Sequence, residues 1–259
     1  MNEEGKTVYP NDAPIEVPKV SKINPGKIIE YDRYNPFIWI DLESSGLNPE
    51  TSEILEICLV VTNGDMQVWD SLHIVMHHPH SVLLAKSSPW CKRHFGSVYY
   101  NGNGLFDECN YSSVSHQDAE CMLWNFFEFY SCNSVGSSVR PVETPRNFFD
   151  RTNGSNGESI GNYDVSNMGY SSKKPHRLVM LAGSTVHFDR GFLLTHFPAL
   201  KRFLNHKVID VTSLLETTRR FRPDSLSELP KPSGYHRALP DIYDSINLYK
   251  YIKDHVFDS

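Results

Sequence analysis

Four carboxylates and one histidine are the residues whose types and spacing could do chemistry. Asp41 and Glu43 stand two residues apart where the apolar run Phe37-Ile38-Trp39-Ile40 ends, just ahead of Ser44-Ser45-Gly46. In a strand, residues two apart leave the same face. Two carboxylates held side by side repel, and burial makes this worse, unless protons or cations neutralise them. Hard divalent cations such as Mg²⁺ and Mn²⁺ take oxygen ligands of this kind. An isolated Asp-x-Glu is more often a solvated strand end, so the pair gains weight only from its company. Asp189 lies just past the apolar segment Leu178-Val179-Met180-Leu181-Ala182, and His236 precedes Asp241 at the mouth of the final helix. Singly, Asp189 and Asp241 read as helix caps and His236 as a loop residue. Their joint occurrence in this order is harder to dismiss.

The elements that must position these groups are strands first. Phe37–Ile40, Ile54–Thr62 and Met66–Val75 are β-rich runs, and Asn63-Gly64 between the last two is a hairpin signal. They predict an antiparallel meander. Apolar spacing predicts a helix over 117–130, with Ala119, Met122, Leu123, Phe126 and Tyr130 on one face. A short buried strand over 178–182 follows, then helical segments over 189–204 broken near Pro198. A strand over 208–211, a helix over 213–221 and a last helix over 240–256 complete the chain. This order predicts an α/β fold around one mixed sheet.

Two stretches stand outside that pattern. Residues 1–34 are proline-studded and aperiodic, an expected irregular extension. Within 133–176, Ser, Asn, Gly and Pro fill 22 of 44 positions. That composition buries too little apolar surface to offset the entropy of ordering, so a disordered insertion is expected within a domain spanning 35–257. The formal charge of −6 argues against a protein that coats long nucleic acid with a basic face. It leaves room for an enzyme that grips few phosphates, above all if metal offsets its acids. Five scattered cysteines without a Cys-x-x-Cys pair argue against a zinc ribbon or disulfide framework and suit a reducing compartment. With no apolar run long enough for a membrane span and no leader signal, the cytoplasm is the expected location, and a mitochondrial pool stays open. His77-His78-Pro79-His80 lacks zinc-site spacing and reads as a surface loop.

Asp41-x-Glu43, Asp189 and His236-x-Ala238-x-x-Asp241 resemble the motifs of the DEDDh exonucleases, which have a ribonuclease H-like fold. Within that superfamily the chain is most similar to the oligoribonuclease family. The likeness extends through Ile38-Trp39-Ile40-Asp41-Leu42-Glu43 with Gly46-Leu47, and through Pro89-Trp90-Cys91-Lys92-Arg93-His94. It continues in Asp210-Val211-Thr212-Ser213-Leu214 and in Arg219-Arg220-Phe221-Arg222-Pro223. It covers about residues 36–130 and 177–257.

The resemblance implies 3′-to-5′ hydrolysis of short single-stranded RNA, down to dinucleotides, giving nucleoside 5′-monophosphates. It implies two divalent cations, Mg²⁺ or Mn²⁺, held by Asp41, Glu43, Asp189 and Asp241, with His236 as general base. Histidine's ordinary pKa of ~6.5 suits proton transfer near neutrality. By the same resemblance Leu47 and Trp90 contact bases, and Thr185, Thr212 and Ser213 match hydroxyl positions that cap a 5′ phosphate. Lys207 stands at the family's arginine position and His206 at its tyrosine. Lysine neutralises a phosphate without arginine's bidentate fork. This segment reaches the partner subunit in the family, so a homodimer is implied. The family's second histidine after Trp90 is replaced by Phe95. Two other functions share the scaffold: a broader DEDDh exonuclease on RNA or DNA, and a catalytically silent RNA-binding module.

Overall fold

The computed structural model describes residues 36–132 and 175–257. The expected N-terminal extension and nearly all of the expected insertion lie outside the described residues. Five strands form one sheet: β1 (Phe37–Ser44), β2 (Ile54–Thr62), β3 (Val68–Val75), β4 (Val179–Gly183) and β5 (Leu204–Asp210). Their order is β3-β2-β1-β4-β5. The first three pair antiparallel, whereas β4 joins β1 and β5 joins β4 in parallel. This is the mixed α/β sheet expected from the sequence.

Among the described residues seven α-helices flank it: α1 (His80–Lys86), α2 (Pro89–His94), α3 (Leu105–Tyr111), α4 (His116–Cys132), α5 (His187–His196), α6 (Val211–Phe221) and α7 (Ala238–Ile252). The strand alternation sorts the core into two layers. Ile38, Ile40 and Leu42 of β1 join Ile57, Leu59 and Val61 of β2 under α4 and α5, where Leu123, Phe127, Phe192 and Leu193 are buried. Trp39 faces the other way, with Cys58 and Val60, onto Ile242 and Ile246 of α7. Trp39 also donates its indole N–H to Thr62 Oγ1 at 2.9 Å, so the buried ring leaves no polar atom unmatched. Asp41 and Glu43 continue the Trp39 face toward the start of α7. A register shift between Glu43 and Ser44 ends the regular pairing just past them.

Several boundaries depart from the sequence expectation. The hairpin turn is longer than Asn63-Gly64, because Asn63 N–H donates to Gln67 O and Met66 takes the left-handed conformation. β3 therefore starts at Val68, not Met66. β5 starts at Leu204, where helix was expected; after Pro198 only a 3₁₀ turn remains, Pro198–Arg202. The last helix becomes a π turn at Lys253–Phe257. The short helices α1, α2 and α3 were not anticipated. On the near side of the expected insertion Ser131 O accepts from His176 N–H and Arg177 N–H, so the two flanks meet.

Candidate active site

β1 delivers two acids, and three other elements converge on them. Asp41, Glu43, Asp189, His236 and Asp241 line one open cavity of about 200 Å³, together with Leu42, Ser184, Thr185 and Phe188. One carboxylate oxygen each from Asp41, Glu43 and Asp241 lies within 4.8 Å of the other two. Asp189, in the first turn of α5, is buried and its Oδ1 accepts the backbone N–H of Leu42 at 3.0 Å. That bond ties the fourth acid to the strand between the first two. Gly183 ends β4 so close behind that an added Cβ would sit 2.7 Å from Ile40 O, too near for any other residue.

The electrostatics follow from crowding with little compensation. Burial, then the charges of Asp189, Glu43 and Asp241, holds Asp41 well above the usual carboxylate range. Burial, then Glu56 and Asp241, pushes Glu43 up to about 9, although Arg237 partly opposes this. Burial also raises Asp189, against the Leu42 hydrogen bond. Asp241 is pushed up to about 6 by burial and then by Asp244 and Glu56. A cluster of oxygen donors that resists ionisation alone accepts a counter-charge readily. Oxygen-only ligands fit a hard divalent cation and fit a thiophilic metal poorly.

His236 stands at the aromatic rim. Trp90 meets its ring edge-on, with centroids 5.1 Å apart, and His94 does the same at 5.3 Å. Trp90 and His94 stack on each other at 3.9 Å. Burial and then His94 lower the pKa of His236, which keeps its imidazole neutral and able to accept a proton. Phe95, by contrast, is buried beneath Trp90, so the histidine facing His236 is His94. Trp90 is 41% exposed, which fits a stacking surface better than a core anchor. The loop bearing Leu47 is fastened to α2: Ser88 N–H donates to Ser45 O and the Cys91 thiol to Ser44 O. Leu47 itself is 85% exposed.

Of the three hydroxyl residues Thr185 lines the cavity, whereas Thr212 and Ser213, at the start of α6, do not. Thr185 and Thr212 place their Oγ1 atoms 3.2 Å apart. Asp210 caps α6, accepting from Thr212 N–H and Ser213 N–H, and also takes Thr185 N–H at 3.1 Å. Asp210 thereby couples the Thr185 loop to the helix that carries Thr212 and Ser213. His206 and Lys207 are exposed on edge strand β5 and do not line the cavity. The His77–His80 stretch is engaged locally, with the His78 ring on Ile54 O at 2.7 Å and His80 N–H on Asn110.

Sequence reasoning missed one group of residues near the site. Glu56 lies opposite Glu43 on β2, and Arg237 bonds both Glu56 and Glu108. The available signal was a glutamate inside the otherwise apolar run Ile54–Thr62, since a buried acid needs a partner.

No protein-family model matches the sequence. Among curated relatives, the oligoribonuclease of Vibrio parahaemolyticus is 30% identical over 220 residues, covering 85% of this chain and 94% of that protein. The oligoribonuclease of Marinobacter nauticus is 28% identical with coverages of 85% and 95%. The mitochondrial oligoribonuclease of Mus musculus is 28% identical, with coverages of 85% and 73%. Among solved structures, an exonuclease I matches with a TM-score of 0.53 at 13% identity, over 86% of this chain and 42% of that longer one. That of E. coli bound to an oligonucleotide matches with a TM-score of 0.51 at 12% identity, with coverages of 86% and 41%.

Proposed function

The chain belongs to the oligoribonuclease family, and from that premise we propose that it is a 3′-to-5′ exoribonuclease acting on short RNA. The observation that carries the reading is the convergence of four acids and His236 on one cavity. In this reading Asp41, Glu43, Asp189 and Asp241 hold two divalent cations, Mg²⁺ or Mn²⁺. When bound, such ions neutralise the charge that grows on the phosphoryl oxygens and polarise the attacking water.

The chain's own residues do the rest. His236, neutral because of burial and His94, takes the proton of the attacking water. Trp90 offers a face on which a base stacks without regard to sequence, and Leu47 meets the neighbouring base from the adjoining loop. Thr185, Thr212 and Ser213 donate to the terminal 5′ phosphate, which sets the length that fits. Lys207 and His206, which do not line the cavity of their own chain, act on this phosphate from a second copy in a homodimer. The working unit is a domain over 35–257 with 133–176 as an insertion. Among the described residues no helix is long and apolar enough to cross a membrane. Cys58, Cys91 and Cys109, buried as free thiols, suit the reducing cytoplasm as its place of work.

The test is hydrolysis of 5′-labelled RNAs of two, five and many nucleotides with Mn²⁺, beside Asp241→Ala. Rapid loss of the dinucleotide, slow loss of the long RNA and an inert variant are expected. Equal cutting of all lengths would leave a general exonuclease; binding without cutting would leave a silent RNA-binding module.

A further inference from the structure

Glu56 is a charge in the middle of an apolar strand, 1% exposed. Both of its oxygens are committed to one junction of the chain. Arg237 donates to it through Nε at 3.0 Å and Nη2 at 2.9 Å, and Ala238 N–H donates at 3.1 Å. On its other side Arg237 donates through Nη1 and Nη2 to Glu108 of α3, at 2.8 and 2.7 Å. A planar guanidinium gripped by two carboxylates has little freedom to rotate. His73 Nε2, at 2.5 Å from Glu56, holds the carboxylate from β3.

The clamped residue is the immediate neighbour of His236. On the other flank Asn103 Nδ2 donates to His236 O at 2.7 Å, and Asn103 is itself fixed by Leu105 N–H. Between these two holds His236 has φ of 51°, in the left-handed region. A residue with a side chain enters that region rarely and stays there only when its surroundings over-determine it. Glu56 lines neither the cavity nor the aromatic rim. It also faces Glu43 and adds to the negative charge there, so its presence makes sense through geometry and not through charge balance.

We propose that Glu56, acting with Arg237 and Glu108, is a positioning group that holds His236 in its left-handed conformation against Trp90 at the carboxylate cavity. The proposal rests on the hydrolytic reading above and deepens it. Its test compares Glu56→Gln, Glu108→Gln and Arg237→Lys with the wild-type protein on a dinucleotide at saturating Mn²⁺. Dinucleotide binding is measured in parallel with Ca²⁺ in place of Mn²⁺, and folding by thermal unfolding.

For Glu56→Gln the expected result is a fall in kcat of about 10- to 100-fold, with KM and binding within about threefold of wild type. Arg237→Lys keeps the charge and loses the fork, so it should follow Glu56→Gln. Glu108→Gln, at the outer and partly exposed end, should lose less. It and Arg237→Lys decide the matter should Glu56→Gln not fold. Wild-type kcat in a folded Glu56→Gln or in Arg237→Lys would overturn the proposal, and so would an equal loss of binding and turnover. A wild-type protein that leaves the dinucleotide intact would sink the hydrolytic reading instead. The His236 ring resonances, shifted in Glu56→Gln if the clamp operates and unchanged if not, would then still judge the clamp.

Discussion

Glu43 and Glu56 face each other across β1 and β2, yet their environments drive them in opposite directions. Burial among other acids pushes Glu43 up to about 9. Burial would raise Glu56 too, but the hydrogen bond from His73 and the charge and hydrogen bonds of Arg237 bring it down to about 2. The contrast teaches what each region lacks. Around Glu56 the chain supplies its own cations and closes the account locally. Around Glu43, Asp41, Asp189 and Asp241 acids crowd together with Arg237 as a partial counterweight only, so protons or added cations must neutralise them.

The largest expected effect comes from making the same substitution at both positions. Glu43→Gln should cut hydrolysis by about 10³-fold or more, because a lost ligand removes several kcal/mol of transition-state stabilisation. It should also stabilise the metal-free protein at pH 7 by about 2 kcal/mol, since a carboxyl held protonated in the fold ionises freely on unfolding. Glu56→Gln should do the reverse to stability, costing about 3 kcal/mol by leaving Arg237 short of a buried partner. Thermal unfolding of the two metal-free variants measures both. Shifts of the same sign would break the comparison.

The pH dependence of stability should separate the two regions in one protein. Acids with raised folded pKa values contribute stability that is full below their unfolded values and lost as pH rises through the folded ones. For Asp241 and Glu43 the loss begins above pH ~4 and runs through about 6 toward about 9. Glu56, depressed, contributes above its unfolded value and loses that contribution as pH falls toward about 2. Metal-free melts should therefore decline on both sides, and Mn²⁺ should lift only the alkaline side. An alkaline decline that ignores Mn²⁺ would remove the acids as its cause.

Those two regions differed in legibility as well. Asp41 and Glu43 stood out through strand alternation, and Asp189, His236 and Asp241 through their joint order and its likeness to the DEDDh motifs. The apolar runs of β1 and β2 marked the sheet, and the 3.6-residue spacing of α4 marked its flank. Helices α1 to α3 were too short, at six or seven residues, for periodicity to reveal them. The clamp was hidden for a different reason: Glu56, Arg237 and Glu108 are distant in sequence, and only the packing of α3 and β2 around the His236 loop unites them. His94 was hidden by a helix phase, since one residue decides whether a ring points at His236 or, like Phe95, into the core.

Trp90 lies beside both regions without belonging to either. Trp90→Ala should raise KM for a dinucleotide by roughly 5- to 150-fold, the equivalent of about 1–3 kcal/mol for one stacked base. It should leave the pH dependence of metal-free stability unchanged, because no carboxylate depends on the ring. Steady-state kinetics and melts on one preparation check both halves. A changed alkaline decline would mean that the aromatic rim and the acids are one unit.

The smallest expected effect concerns a cation that stands outside the acid cluster. Lys207 presents its charge on the exposed part of β5, outside the cavity wall. If that charge meets a 5′ phosphate bound in a second copy, Lys207→Arg adds a forked donor and should sharpen the preference for dinucleotides over longer RNA by a few-fold, worth about 1 kcal/mol or less at an exposed site. The gain should vanish on dilution below the dimer's dissociation range, which a length series at falling protein concentration would reveal. A gain that survives in the monomer would place the phosphate on the same chain as Lys207, and would extend the comparison: the acid cluster and the lysine would then serve one substrate within one chain. No gain at any concentration would make Lys207 a solvated surface charge, leaving Thr185, Thr212 and Ser213 to set the length of RNA that fits.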